Sequence, residues 1–176
     1  MNKKNTKIFH LGDSSIVVKF SNKIHPKDND SVYSFYNYIK QQKYSFITDV
    51  IPTYNTVSIE YLQDKKNYYQ MKEFVESIID KTKINNFDYK EKIIDIPVKY
   101  GGKNGPDINF VADYCKISTK NLIELHTSVD YRVYMIGFSP GFPYLGGMNK
   151  KLECPRLKKP RINVLAGSVG IAEKQT

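Results

Sequence analysis

Between Tyr100 and Asp107 the chain reads YGGKNGPD, a run through which neither a helix nor a strand passes unbroken. Glycine opens backbone angles that a Cβ forbids, and proline fixes φ and removes a donor. The 176 residues are therefore read as two domains, 1–90 and 91–176, joined just ahead of this turn-dense segment. With 40% hydrophobic and 13% aromatic residues, the chain has enough apolar material for a real core.

Ahead of the break, strand and helix periods alternate. Thr6 to Leu11 and Ser15 to Phe20 read as strands around Gly12-Asp13. Asp28 to Gln42 reads as a helix, with Val32, Phe35, Tyr36 and Ile39 at i, i+3, i+4 and i+7 and Asp30 or Ser31 as its cap. Ser45 to Ile51 and Thr56 to Tyr61 are two further strands. Asn67 to Lys83 is a second helix with Met71, Phe74, Val75, Ile78 and Ile79 on one face, and Lys92 to Val98 is a closing strand. The order β, α, β, β, α, β predicts an α+β, ferredoxin-like domain with the opening hairpin as an added edge.

Beyond the break, Pro106 suits a first helical residue before the stripe Ile108, Val111, Ala112 and Cys115. Ser118 can cap a short helix that runs through Leu122 and Leu125 to His126. Tyr131 to Phe138 reads as a buried strand that leads into GFSPGFPYLGG. That loop packs four of the ten glycines and two of the eight prolines into residues 137–147, with Phe138, Phe142 and Tyr144 between them. Ile162 to Ile171, with Ala166-Gly167-Ser168-Val169-Gly170 at its centre, reads as a strand that lets another backbone approach closely.

Composition excludes several classes of function. No apolar run reaches the roughly 18 residues of a membrane span, and MNKKNTKIFH lacks the apolar stretch of a secretory signal, so the cytoplasm is the expected compartment. The net charge of +9 comes almost wholly from lysine, since Arg132, Arg156 and Arg161 are the only arginines; nucleic-acid binding is not expected. Cys115 and Cys154 are isolated, which argues against zinc, a redox dithiol or a disulfide framework, and no metal site is expected. There is no G-x-x-x-x-G-K-[ST] loop. Ser139 lies in G-F-S-P-G, one residue off the nucleophile-elbow spacing, with Pro140 removing the oxyanion-hole N–H.

Taken together, IPVKYGGKNGPD, the Leu125-His126 pair ahead of YRVYMIGFSPGFPYLGGM, and PRLKKPRINVLAGSVGIAEKQT resemble one family, from about Ile96 to Thr176. It is the family of the B subunit of 5-oxoprolinase, the sporulation kinase inhibitor KipI and the small subunit of allophanate hydrolase, a carboxyltransferase domain with subdomains C and D. The resemblance implies a ferredoxin-like domain followed by a cyclophilin-like β-barrel. It implies a non-autonomous subunit that, with a C-subunit-like chain and other oxoprolinase subunits, hydrolyses 5-oxo-L-proline to glutamate with ATP. The other branches imply an inhibitor of a sensor histidine kinase, or a subunit of a urea-type carboxyltransferase and allophanate hydrolase system. No lysine sits in a biotin-attachment context, so any carboxyl carrier belongs to another chain.

By that resemblance His126 is the candidate catalytic residue, a general acid or base, against a role as a helix C-terminal cap. The candidate substrate- or partner-binding residues are Gly137, Phe138, Pro140, Gly141, Phe142, Tyr144, Gly146, Gly147, Arg156, Arg161, Gly167 and Ser168. Arg156 and Arg161 each follow a proline, and a guanidinium fork on a stiffened loop suits a carboxylate; surface ion pairing is the alternative. Phe142 and Tyr144 suit a pocket for a small ring, or packing within their own loop. The chain departs from the family pattern at Leu165, where a proline is usual, and at Glu173, where a glycine is usual. Ending at Thr176, it is expected to lack the closing strands of the barrel.

Overall fold

A computed structural model describes residues 6–82 and 92–176. The chain divides into two compact units, Met1–Lys90 and Glu91–Thr176. It is a mixed α and β structure whose sheets are antiparallel.

In the first unit, β1 (Lys7–His10), β2 (Ser15–Lys19), β3 (Ile47–Pro52) and β4 (Thr56–Tyr61) form one sheet in the order β1-β2-β4-β3. Helices α1 (Pro26–Gln42) and α2 (Tyr68–Thr82) supply the rest of its core. Ile16 and Val18 of β2, Val57 and Ile59 of β4, Val32 and Phe35 of α1, and Met71 and Val75 of α2 are completely buried. Each such side chain contributes about 1.5–3 kcal/mol. Buried Asn29 spans from α1 to the β3–β4 turn, its Nδ2 donating to the carbonyls of Thr53 and Tyr54 at 3.2 and 3.1 Å.

The helix starts differ in how they are built. α1 begins at Pro26, two residues ahead of the expected start, with His25 as its cap: the imidazole Nδ1 accepts from the Lys27 N–H. Neither Asp30 nor Ser31 holds that position, because proline at the first helical position is the stronger start signal. At α2, Asn67 and Gln70 exchange hydrogen bonds of 2.9 and 3.0 Å, a reciprocal cap.

The expected strand Lys92–Val98 is absent. These residues carry no ladder, and Ile93, Ile94 and Ile96 are exposed. Beside β2, the outer place in the first sheet is held by β1, so the hairpin read as an extra edge is the edge itself.

The second unit packs α3 (Ile108–Cys115), α4 (Thr119–Thr127) and a turn of 3-10 helix at Lys150–Leu152 around Ala112, Leu122 and Leu152. Its sheet has two strands, β5 (Arg132–Ile136) and β6 (Pro143–Gly146). The barrel expected from the resemblance is not seen among the described residues. The strand expected at Ile162–Ile171 is absent too: Leu165 to Ser168 close a turn, with Ser168 N–H and Oγ both donating to the Leu165 carbonyl at 3.1 and 2.6 Å. Nothing lies within 4 Å of where a Cβ would stand at Gly167 or Gly170, so no backbone approaches them closely. An extended segment without a neighbouring strand has no ladder to join.

Candidate functional site

Three parts of the second unit converge on His126. It lies in the last turn of α4, whose start Ser118 caps by accepting from the Asn121 N–H at 3.2 Å. The imidazole is only 8% exposed. Its Nδ1 is 2.6 Å from the Tyr100 hydroxyl, just ahead of the glycine turn, and its Nε2 is 2.9 Å from Thr176 Oγ1. Tyr131 packs its ring against the imidazole at 5.5 Å and donates its hydroxyl to the His126 carbonyl at 2.8 Å.

Thr176 reaches the ring because the segment before it is folded back. Ala172 and Gln175 exchange backbone hydrogen bonds, and Glu173 pairs with Cys154 across the only bridge that segment makes to the rest of the unit among the described residues. Glu173 adopts φ 58°, a left-handed conformation natural to glycine and costly to glutamate.

Burial lowers the His126 pKa, and burial raises those of Tyr100 and Tyr131, so all three rings stay neutral at pH 7. A neutral imidazole does not serve as a cationic cap on the helix dipole. The alternative that sequence reading left open for His126 is therefore corrected by its burial.

GFSPGFPYLGG is the tip and second strand of a hairpin. Ser139-Pro140-Gly141-Phe142 is a tight turn, with Phe142 N–H donating to the Ser139 carbonyl at 3.0 Å and Gly141 at φ 79° where a type II turn requires it. Gly137 N–H closes the loop on the Phe142 carbonyl at 3.0 Å. Phe138, Phe142 and Tyr144 stack edge to face at 5.5 and 5.6 Å between centroids, and Phe138 is 88% exposed. At the other end of β6, Gly146 gives its space to the buried ring of Tyr134, while Gly147 turns away at φ 110°.

The arginines are already engaged. Arg161 binds both oxygens of Asp107, which stands at the start of α3, and Arg156 Nε lies 3.7 Å from Glu173 on the surface. Arg161 holds the Asp107 carboxyl below the usual carboxylate range, chiefly through these hydrogen bonds. Gly167 and Ser168 belong to the turn described above. Cys115 is half-buried and Cys154 buried, both are free thiols, and burial pushes both up. Among the described residues, no three His, Cys, Asp or Glu gather to hold a metal ion, and no helix is long and apolar enough to cross a membrane.

Sequence reading singled out His126 and missed the three side chains that surround it. Tyr100 and Thr176 lie 26 and 50 residues away in the chain, so no local spacing reveals them. Tyr131, five residues on, was the one within reach.

The model of the carboxyltransferase domain, subdomain C and D, matches residues 6–176. The chain belongs to that family. It includes the 5-oxoprolinase B subunit of Bacillus subtilis (strain 168), 35% identical over 179 residues that cover 96% of this chain and 74% of that protein. The 5-oxoprolinase B subunit of Escherichia coli O157:H7 is 52% identical over 87 residues, covering 49% of this chain and 40% of that protein. In solved structures the carboxyltransferase fold recurs in the TTHA0988 protein, at TM-score 0.76, 24% identity and 93% of this chain against 31% of that one. It recurs again in the Kluyveromyces lactis urea amidolyase, at TM-score 0.64, 14% identity and 80% against 10%.

Proposed function

We propose that the chain is the B subunit of a cytoplasmic, ATP-dependent 5-oxoprolinase, active with a C-subunit-like chain and further subunits. The observation that carries this reading is the 35% identity to a protein of that name across 96% of the chain. The reaction adds water across the ring amide of 5-oxo-L-proline. The C–N bond breaks, oxygen joins the carbonyl carbon, the ring nitrogen takes up a proton, and glutamate leaves.

ATP does not fit the residues of this chain. The glycine turn that follows Tyr100 is closed on itself, with the Asn104 and Gly105 N–H groups both donating to the Gly101 carbonyl at 3.2 and 3.0 Å. A phosphate cradle needs such groups to point at the ligand. Nucleotide chemistry is therefore assigned to another subunit. The exposed rings of Phe138 and Phe142 at the hairpin tip suit a contact with a neighbouring chain, since a solvent-facing aromatic cluster gains most by being covered.

Reconstitution with the other subunits and measurement of glutamate released from 5-oxo-L-proline tests the reading. Release is expected only in the full complex. An assembled but inactive complex overturns it, and a chain that instead lowers autophosphorylation of a sensor histidine kinase belongs to the inhibitor branch.

A further inference from the structure

We infer that the Thr176 hydroxyl is a ligand-binding donor, aimed outward by a one-way hydrogen-bond chain that runs from Tyr100 through His126. The direction follows from the donor chemistry of each link. A phenol O–H is a far better donor than an imidazole N–H, and an imidazole lone pair a far better acceptor than a phenol oxygen. The 2.6 Å contact is thus Tyr100 O–H donating to Nδ1. Neutral imidazole carries one proton, so it sits on Nε2 and is donated to Thr176 Oγ1 over 2.9 Å. Burial supports the neutral form.

A threonine hydroxyl holds one proton and two lone pairs. With a lone pair spent on Nε2–H, the hydroxyl proton points away from the ring, and Thr176 is only half-buried. Successive links of such a chain polarise one another and strengthen the last donor. The matching ligand atom is an electron-rich oxygen of a small amide or carboxylate. Its identity as the ring carbonyl of 5-oxo-L-proline rests on the proposed function. His126 on this reading is a positioning residue and not the general base, because its outward nitrogen is already protonated.

Histidine ¹⁵N NMR of the chain reads the tautomer directly. Protonated Nε2 and bare Nδ1 are expected at neutral pH, with the preference lost in Tyr100→Phe while the far-UV circular dichroism is unchanged. The opposite tautomer in the wild type overturns the inference. Titration with 5-oxo-L-proline is then expected to shift the Thr176 and His126 signals saturably. A hydrogen bond of ordinary strength predicts about tenfold weaker binding in Thr176→Val and recovery in Thr176→Ser. No saturable shift in the wild type, or equal binding by Thr176→Val, also overturns it. Glutamate release plays no part in these readouts, so failure of the oxoprolinase reading and failure of the donor chain remain distinct.

Discussion

Asp107 and Arg161, 54 residues apart in the chain, meet as a two-bond carboxylate–guanidinium pair with contacts of 2.5 and 2.7 Å. The strongest anion-binding fork in the sequence is thus satisfied from within, and ties the PRLKKPR loop to the start of α3.

Replacing Arg161 by Met removes that tie. The Asp107 carboxyl has a lower pKa folded than unfolded, so the pair contributes in full above the unfolded value of about 4. Its contribution fades as the pH falls through the folded value. The variant should melt below wild type at pH 7 in low salt. The gap should close in strong acid and narrow in high salt, because both side chains are partly exposed. A gap that persists unchanged in acid contradicts the assignment.

The pH dependence through His126 has its own window. A histidine buried with a lowered pKa stays neutral when folded, whereas the unfolded chain takes up a proton near pH 6.5. Its contribution is complete above about pH 6.5 and declines as the pH falls toward the folded value. The groups around it, Tyr100, Tyr131 and Thr176, do not titrate in that window. Melting curves between pH 7 and 5 should slope downward in wild type and flatten in His126→Phe.

Glu173→Gly should stabilise the chain. Relief of the left-handed backbone is worth about 1–2 kcal/mol, against an exposed ion pair with Arg156 worth at most about 1 kcal/mol. Thermal melting decides the matter, and a lowered Tm refutes it.

Two glycines of the hairpin test different costs. Gly141→Ala meets open space but a positive φ, which costs about 1–2 kcal/mol. Gly146→Ala drives a methyl into the buried Tyr134 ring and should cost about 1–3 kcal/mol, with hydrogen exchange rising along β5 and β6. Urea denaturation ranks the two.

Leu152 is fully buried in a small core, and Leu152→Ala should cost about 2–5 kcal/mol. Hydrogen exchange should rise in α3 and α4 and leave β2 and β4 protected, since their core is built from other residues.

Elements that close on their neighbours were legible in the sequence. β1 to β4 and both long helices fall within a few residues of their periodic patterns, because Val32, Phe35 and Ile39, or Met71, Val75 and Ile78, announce one buried face. Lys92–Val98 and Ile162–Ile171 carry equally apolar patterns yet form no strand, since a strand is defined by a partner that its own residues do not encode. His126 was found through its place between motifs. Its partners were hidden by the same cause: Tyr100 and Thr176 meet only after α4 and the Ala172–Gln175 turn have formed.

Every strand pairing of the first sheet lies between Lys7 and Tyr61, and the core beneath it ends at Ile79. With β1 already in the outer place beside β2, that layer waits for nothing later in the chain. During synthesis, at about 5–20 residues per second, the first unit can take its final form while the histidine site is still being made. Its emergence from the ribosome then sets the order of assembly.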